Sequence, residues 1–379
     1  MIRRMSIAHD LETLPIPAKL PHRLLAWYDA VEHARDMPWR RTRDPYAIWL
    51  SETMLQQTQV ETVKPYYAKF LARFPTVAAL AAAPLEEVLA LWAGLGYYRR
   101  AKHLHLAAKR MVADHGGALP GTPEGLRTLE GVGRYTAGAI GSIAFGLPVP
   151  VVDGNVMRVL ARVFAYDRDI AVPAHQAFFW ETAGRLVSAA PAKRFGDFNQ
   201  AMMELGATVC TPAQPACLLC PLKDFCRAFA EGRQAELPVK SKKKESPILR
   251  GTALVIFRTA GKGKSREVLL MQRPVGGIWE NMWEFPVIPS GNRGALAAFK
   301  LSEPVRCGAV KHTLTHRTIQ LKVIRAANNG TSLPAELPAC LGAQSPYQKS
   351  RWHPWPLAGT ELPVSRLVHK IAELIAEHP

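Results

Sequence analysis

The chain of 379 residues lacks any apolar run long enough to span a membrane. Its first residues, MIRRMSIAHDLETLPIPAKL, also lack the apolar centre of a secretory signal peptide. We interpret residues 1–20 as a loose N-terminal arm. Both absences favour a cytoplasmic protein without a membrane partner.

Acidic residues are scarce compared with basic ones. Asp and Glu total 31 against 48 Lys and Arg, which gives a formal charge of +17 and an isoelectric point near 9.8. A protein this basic typically binds a polyanion, most often nucleic acid. A membrane surface or solubility would also suit the charge, so charge alone leaves the partner open.

Cysteine is also scarce, and its distribution argues against a disulfide framework. Cys307 and Cys340 are isolated, whereas four cysteines lie close together with the spacing C-x6-C-x2-C-x5-C: Cys210, Cys217, Cys220 and Cys226. In a reducing compartment, thiols this close in sequence favour a metal centre over disulfides. Zinc and a 4Fe–4S cluster both accept four cysteines, so the residues alone leave the metal open.

The sequence pattern changes near residue 240. Residues 21–235 carry helical periodicity, and residues 236–248 have the prolines and lysine run of a linker. Beyond residue 249, TALVIFRT and REVLLMQR flank the turn AGKGKS and predict a β-hairpin. The terminal SRLVHKIAELIAEH predicts an amphipathic helix. We therefore expect a helical domain, a linker and an α+β domain over residues 249–379.

A short turn within LEGVGRYTAGAIGS separates two predicted helices. Thr122 and Pro123 have the residue types of a helix start, and Ala137 and Ile140 mark the following helix. The turn itself is Gly131, Val132 and Gly133. The free amides of a helix start suit a phosphate, although an ordinary corner between two helices would have the same pattern.

Two carboxyl groups stand in contrasting settings. Glu52 is the one charged residue of YAIWLSETMLQQTQV, and burial there would raise its pKa and make it a general acid. Asp153 precedes a helical pattern in VVDGNVMRV, where a helix dipole would lower its pKa. A surface glutamate and a plain helix cap are the alternatives. Together, the two pKa directions suit cleavage of a glycosidic bond.

These features occur in a familiar order. The motifs SETMLQQTQV, GLGYYRRA, LEGVGRYTAGAI, VVDGNVMRV, DFNQAMMELG and the cysteine spacing together resemble the adenine DNA glycosylases (MutY type) of the helix-hairpin-helix superfamily. The resemblance implies an all-α glycosylase domain over residues 21–235 with a 4Fe–4S loop at residues 210–226, followed by a Nudix-like α+β domain. It therefore implies iron rather than zinc, and base-excision repair at the nucleoid.

The resemblance also implies catalytic roles at matching positions. Glu52 would protonate adenine at N7, and Asp153 would stabilise the oxocarbenium ion or form a covalent sugar intermediate. Tyr135 and Asn155 would flank and orient this centre. Other positions would line the adenine pocket, namely Trp39, Arg40, Leu55 and Gln200.

Contacts with double-stranded DNA are implied in the same way. Gln57 and Tyr97 would fill the duplex when the base is flipped out, and the amides of Gly131, Val132 and Gly133 would bind phosphate. The implied substrates are duplexes with adenine opposite 8-oxoguanine or guanine. We expect the protein to act as a monomer.

The second domain resembles a Nudix fold without its catalytic residues. GIWENMWEFP matches the segment before the catalytic helix, but VIPSGNRGALAAFKLSEPV lacks the glutamate-rich box that binds magnesium. The resemblance implies a reader of 8-oxoguanine that uses Leu314, Thr315 and His316, where the family often has Phe-Ser-His. The hydroxyl is kept, but the aromatic ring is absent. A plain strand and turn is the alternative for this stretch.

Two other functions are weighed against adenine excision. A bifunctional glycosylase and lyase of the endonuclease III type has a lysine after the arginine of the hairpin, whereas Tyr135 follows Arg134 here. Without that amine no Schiff base can form, which favours a monofunctional glycosylase that uses water. A non-enzymatic iron–sulfur protein that binds nucleic acid would have no need for Glu52 and Asp153.

Overall fold

A computed structural model describes residues 14–31, 35–241, 246–260, 265–292, 299, 301–328, 340–343, 345–357 and 360–377. Most of the predicted N-terminal arm and the lysine run of the predicted linker lie outside these residues. The chain divides into two compact units. The first comprises Met1–Ala81 and Leu106–Lys243, and the second comprises Ala82–His105 and Lys244–Pro379. Twenty-four residues of the helical sequence therefore group with the C-terminal part.

The first unit is helical, as the sequence predicts. In chain order its helices are α1 Leu20–Val31, α2 Pro45–Leu55, α3 Val60–Arg73, α4 Val77–Ala82, α7 Pro123–Leu126, α8 Arg134–Ile143, α9 Gly154–Val163, α10 Pro173–Ser188, α11 Phe195–Thr208 and α12 Arg227–Ala230. Short 3-10 turns occur at Pro38–Arg41, Cys217–Leu219 and Lys223–Phe225. A core formed mainly by α1, α9, α10 and α11 holds this unit together.

Helix α2 is buried on nearly all sides because its sequence is apolar all round. It begins after Asp44, whose carboxylate accepts a hydrogen bond from the backbone N of Tyr46 at 3.0 Å. Pro45 occupies the first helical position, where its missing N–H has no hydrogen bond to lose. The helix carries Glu52 into the interior, with 6% of that residue exposed.

The predicted turn between two helices is confirmed. Thr122 caps α7 by accepting a hydrogen bond from Gly125 N at 3.2 Å, and α8 begins at Arg134. Gly131 has φ +77°, a left-handed conformation that favours glycine. Val132 is buried, whereas Gly131 and Gly133 are exposed. The turn therefore presents bare backbone to solvent above an apolar anchor.

The second unit contains a mixed sheet. Its strands are β1 Ile248–Ala260, β2 Ser265–Gln272, β3 Trp283–Glu284, β4 Val287–Pro289, β5 Ser302–Leu314, β6 Arg317–Ala327 and β7 Lys349–Pro354. The main order is β3-β2-β1-β6-β5, while β4 also pairs with β1 and β7 with β2. Strands β1 and β6 are parallel. The predicted hairpin is confirmed, because β1 and β2 pair antiparallel up to Ala260 and Ser265.

Helices complete the second unit. Helix α5 spans Leu85–Trp92, and α6 spans Arg99–His115, within which the division between the units falls. The predicted terminal helix is confirmed as α13, Arg366–Ala376. One face of the sheet packs against α13 in a core that includes Leu321 and Val323. The opposite face is partly covered by a smaller cluster around Leu254 and Met271.

Within the described part of the chain, no helix combines the length and the apolar character needed to cross a bilayer.

Candidate active site

The predicted acid lies in the interior of the first unit, next to a tyrosine. The hydroxyl of Tyr135, in the first turn of α8, donates a hydrogen bond to Glu52 Oε2 at 3.0 Å. It also lies 3.3 Å from the sulfur of Met203. Burial raises the pKa of Glu52 from 4.5 to about 7, against the lowering effect of the Tyr135 hydrogen bond. The predicted direction is confirmed, and Glu52 can hold a proton near neutral pH.

Asp153 caps α9, as predicted. One carboxylate oxygen accepts from Val156 N at 2.7 Å, and the other accepts from Asn155 Nδ2 at 3.0 Å. The charge of Asp153 acts on Glu52 and raises the pKa of that acid further. The two carboxyl groups and Tyr135 are therefore close neighbours.

The predicted pKa direction for Asp153 is wrong. Burial raises its pKa above the ordinary value, and the hydrogen bonds from Val156 and Asn155 only partly oppose this effect. The helix start stabilises the carboxylate as expected, but the capping group is withdrawn from water, and loss of hydration disfavours the anion more. Both carboxyls of this site therefore bind protons more readily than free side chains.

A chain of contacts holds Asn155 in place. Its side-chain oxygen accepts from Arg158 Nη2 at 2.8 Å. The same guanidinium donates to the carbonyl oxygens of Gly206 and Cys210, both at 2.7 Å. A Cβ at Gly206 would lie 2.6 Å from Asn155 Cβ, so this position of α11 requires glycine for α9 to approach. The start of α9 is thus fixed to α11 and the cysteine loop.

The residues of the predicted adenine pocket adopt different environments. Arg40 donates to Glu204 Oε2 at 2.6 Å and lies close enough to Glu52 to lower its pKa. Gln200 is buried one helical turn before Glu204. Trp39 is buried, and its ring packs edge-on against Tyr67 with centroids 5.4 Å apart. Arg40 is thus near the acid, whereas Trp39 packs in the core.

Leu55 ends α2 half-buried. Two residues on, Gln57 is exposed and has φ +58°, a conformation that is uncommon and strained for a residue with a Cβ. The turn after α2 therefore leaves Gln57 exposed to solvent, and its insertion into a duplex stays a prediction.

The hairpin offers free backbone where a phosphate is expected. A Cβ at Gly133 would meet no heavy atom within 4 Å, and Gly133 has ordinary extended backbone, so the open space and not the conformation distinguishes this glycine. Next to it, the Arg134 guanidinium lies 4.1 Å from the centroid of the Trp180 ring. An exposed cation is thereby held beside the helix start.

The second unit brings two other predicted contacts together. Tyr97 is 42% exposed, has φ +49°, and its hydroxyl hydrogen-bonds with Thr315 Oγ1. Thr315 and His316 form the exposed turn between β5 and β6. Leu314, in contrast, is partly buried against the core beside α13. The His316 side chain is exposed to solvent, the Thr315 hydroxyl is shared with Tyr97, and the leucine is mostly used in packing.

The four clustered cysteines share one cavity of the first unit. Cys210, Cys217, Cys220 and Cys226 all line it, with apolar side chains between them. The buried guanidinium of Arg162 donates to Cys210 Sγ at 3.3 Å and to the carbonyl oxygen of Thr211 at 2.7 Å. Among the described residues, no set of three or more His, Cys, Asp or Glu is arranged to hold a single metal ion.

Two family models and several curated relatives match this chain. Residues 50–183 match the family model described as HhH-GPD superfamily base excision DNA repair protein, and residues 253–374 match the NUDIX domain model. The chain is 38% identical over 415 residues to an adenine DNA glycosylase of Rattus norvegicus, which covers 94% of this chain and 77% of the relative. It is 39% identical to the Homo sapiens protein of that name, over 83% of this chain and 68% of the relative.

A bacterial relative is matched over nearly its whole length. The adenine DNA glycosylase of Buchnera aphidicola subsp. Baizongia pistaciae is 33% identical over 86% of this chain and 94% of the relative. The chain belongs to the adenine DNA glycosylase family. It is thus an N-glycosylase of base-excision repair that binds DNA, with a helix-hairpin-helix domain followed by a Nudix-like domain. The family resemblance stated from sequence is confirmed.

Sequence reasoning missed several residues of this family member's site. Glu204 is 4% exposed and bridges Arg35 and Arg40, at 3.2 and 2.6 Å. Arg158 links Asn155 to the cysteine loop. The spacing of four residues between Gln200 and Glu204 places both on one face of α11. This spacing could have predicted that Glu204 lies beside the pocket residue Gln200. No local pattern distinguishes Arg158 from an ordinary exposed helix residue.

Proposed function

We propose that the protein hydrolyses the N-glycosidic bond of adenine opposite 8-oxoguanine or guanine in duplex DNA and leaves an abasic site. The observation that carries the proposal is Glu52, a buried carboxyl with a pKa of about 7, hydrogen-bonded to Tyr135 and next to Asp153. A group that is protonated at neutral pH and shielded from water is suited to protonate a leaving base.

In the proposed reaction, Glu52 gives its proton to N7 of the flipped adenine. The bond between C1′ and N9 then breaks, and its electron pair leaves with the base. The Asp153 carboxylate stabilises the positive charge at C1′, either as an ion pair or through a covalent sugar intermediate. Water adds at C1′, and its proton returns to a carboxylate. The raised pKa of Asp153 makes it a better acceptor for that proton than a free aspartate.

Neighbouring residues orient this pair. The Asn155 amide and the Val156 N–H each hold one Asp153 oxygen, which leaves the remaining lone pairs for the sugar. Tyr135 fixes one oxygen of Glu52, so that the other can carry the proton toward the base. We propose that Arg40, Leu55 and Gln200 border the adenine, and that Trp39 supports this wall from the core.

We further propose that the four cysteines of the cavity hold one 4Fe–4S cluster. Each iron of such a cube takes one thiolate, so four thiols around a cavity fit the group better than four converging on one ion. The buried Arg162 supplies positive charge and a hydrogen bond at Cys210. When bound, the cluster would support the loop structurally and could exchange electrons, and the base-excision chemistry is left to the carboxyl groups.

DNA contacts are proposed on both units. Gly131, Val132 and Gly133 offer amides to a phosphate, and the strained, exposed backbones of Gln57 and Tyr97 support their insertion into the duplex. Thr315 and His316 are proposed to recognise 8-oxoguanine by hydrogen bonding. Leu314 contributes packing below them. The protein is proposed to act as a monomer at the nucleoid.

The proposal is tested by incubating the full-length protein with duplexes that contain adenine opposite 8-oxoguanine, guanine or thymine. Each product is run on a denaturing gel with and without alkali. Adenine release opposite 8-oxoguanine and guanine, with strand breaks only after alkali, is the expected result. Cleavage without alkali, together with borohydride trapping of an imine, would instead support the lyase alternative that Tyr135 argues against.

A further inference from the structure

The second unit carries a basic sheet face that the proposed site does not use. Three exposed cations share this face, Arg250 on β1, Lys311 on β5 and Lys322 on β6. The buried residues that alternate with them, such as Ile319 and Leu321, belong to the core on the opposite side. Since side chains alternate across a strand, the three cations point away from that core.

Strand register places the three cations close together. Gln320 of β6 pairs with Arg250 on one side and with Lys311 on the other. Lys322 lies two residues further along β6, on the same face. With strands about 4.8 Å apart and same-face residues about 6.7 Å apart, the three Cα atoms lie within roughly 10 Å of one another.

The parts of the three strands that surround these cations contain no acidic residue. The stretches ILRGTAL, VRCGAVKHT and TIQLKVI, which form this part of β1, β5 and β6, contain no Asp or Glu. Elsewhere on the sheet the opposite holds, because Arg258 of β1 pairs with Glu267 of β2 at 2.7 Å. Three neighbouring cations without an acidic residue on their own stretches of strand favour a polyanion.

We propose that this basic face, Arg250, Lys311 and Lys322, binds the phosphate backbone of the DNA flanking the recognised lesion. The proposal rests on the proposed role of the β5–β6 turn, since Lys311 and Lys322 lie on the two strands that lead to Thr315. Measured along the strands from the ends that flank the turn, Lys311 lies about 10 Å away and Lys322 about 17 Å away. With one phosphate per 3.4 Å of helix axis on each strand, the contacts would fall roughly three to five base pairs from the lesion.

The test compares two full-length triple variants. The first is Arg250→Gln, Lys311→Gln and Lys322→Gln. The matched control is Arg258→Gln, Arg266→Gln and Arg351→Gln, three exposed cations of the same unit that lie on β1, β2 and β7 outside the stretches that carry the basic face. Binding to a duplex with 8-oxoguanine opposite an uncleavable adenine analogue is measured by anisotropy across a range of salt concentration. Thermal melts establish that both variants are folded.

We expect the slope of log K against log salt to become less steep by about 2 to 3 in the first variant, since each neutralised phosphate contributes about 0.9. The control should retain the wild-type slope within about 0.5. Duplexes with flanks shorter than about three base pairs should abolish the difference between wild type and the first variant. Single-turnover excision at saturating enzyme should be unchanged.

An unchanged slope in the first variant, or an equal loss in the control, would overturn the proposed DNA contact. The slope would also stay unchanged if the basic face bound an acidic protein. Failure of the proposed function would be seen in a different measurement. A wild-type protein that binds the duplex but releases no adenine would refute adenine excision, and its salt slope could still be compared with that of the variants.

Discussion

The two units each contain a buried glutamate that accepts a hydrogen bond from a tyrosine, and the two glutamates differ in their cations. Glu52 accepts from Tyr135 at 3.0 Å, while the nearby Arg40 donates to Glu204 instead. Glu284 accepts from Tyr347 at 2.5 Å and also pairs with the buried Arg273 at 2.6 Å. Burial without a bonded cation produces an acid, whereas burial with one produces a structural ion pair.

The difference agrees with the proposed functions of the two units. A general acid must be protonated near neutral pH, and the pKa of Glu52, raised by burial to about 7, allows it. Arg273 also donates to the carbonyl oxygens of Ile278 and Leu341, both at 2.7 Å, so its pair with Glu284 ties several segments of the Nudix-like unit together. A buried glutamate that accepts a hydrogen bond from a tyrosine can therefore serve as an acid or as part of an ion pair. The difference between Glu52 and Glu284 is whether a guanidinium is bonded to the carboxylate.

The largest expected effect is on catalysis. Glu52→Gln keeps the size and hydrogen bonding of the side chain but cannot deliver a proton, so single-turnover adenine excision should fall by about 10²- to 10⁴-fold. Duplex binding should persist. The matched control is Glu284→Gln, in which excision by the folded fraction should stay near wild type. Near-normal excision by Glu52→Gln would remove this residue from the mechanism.

The reverse comparison concerns stability. Glu284→Gln leaves the buried charge of Arg273 without its counter-ion, and breaking such a pair typically costs about 3 to 5 kcal/mol. We expect the second unit to melt at a distinctly lower temperature, as followed by calorimetry. A melting profile that matches wild type would mean that the Arg273–Glu284 pair contributes no net stability.

Glu52→Gln should instead stabilise the protein at alkaline pH. A folded-state pKa near 7 against an unfolded value of 4.5 means that the folded state binds the proton more tightly. Wild-type stability therefore falls as pH rises through this window, by roughly 3 kcal/mol in total. The glutamine variant lacks this loss, so its advantage in urea unfolding should be absent at low pH and largest above pH 7. An advantage independent of pH would contradict the assigned pKa.

The smallest expected effect is a shift in pH dependence. The Tyr135 hydrogen bond lowers the pKa of Glu52, so Tyr135→Phe should raise that pKa and move the alkaline limb of the excision rate to higher pH, by less than about one unit. Tyr347→Phe serves as the control and should leave the profile of excision unchanged. A shift toward lower pH in Tyr135→Phe would show that the hydroxyl acts on the acid in another way.

Local sequence was sufficient for features that depend on neighbouring residues. The cap at Asp153, the turn at Gly131 and the β1–β2 hairpin were predicted from short patterns and are confirmed. For Glu52, the apolar residues around it made burial one interpretation beside a surface glutamate, and the structure shows that it is buried. These features need no knowledge of distant segments, because backbone conformation and helix amphipathicity determine them.

Features that depend on distant contacts were missed or mispredicted. The dipole at α9 was inferred correctly, but the burial that reverses its effect on the pKa of Asp153 arises from the surrounding fold. Glu204 meets Arg35 and Arg40 from more than 160 positions away in the sequence. The grouping of Ala82–His105 with the C-terminal part also depends on tertiary contacts. One of them is the hydrogen bond that Trp283 Nε1 donates to Glu86 Oε1 at 2.9 Å.

The central claim is that Glu52 donates the proton and Asp153 acts as the anion. The most direct test is the pH dependence of single-turnover adenine excision by the wild-type protein at saturating enzyme. We predict a bell-shaped profile whose alkaline limb falls with an apparent pKa near 7, the value that burial gives Glu52, and whose acidic limb lies above the ordinary aspartate range because the pKa of Asp153 is raised. A rate that stays level from neutral pH to about pH 9 would contradict the account, because a deprotonated Glu52 cannot protonate the base.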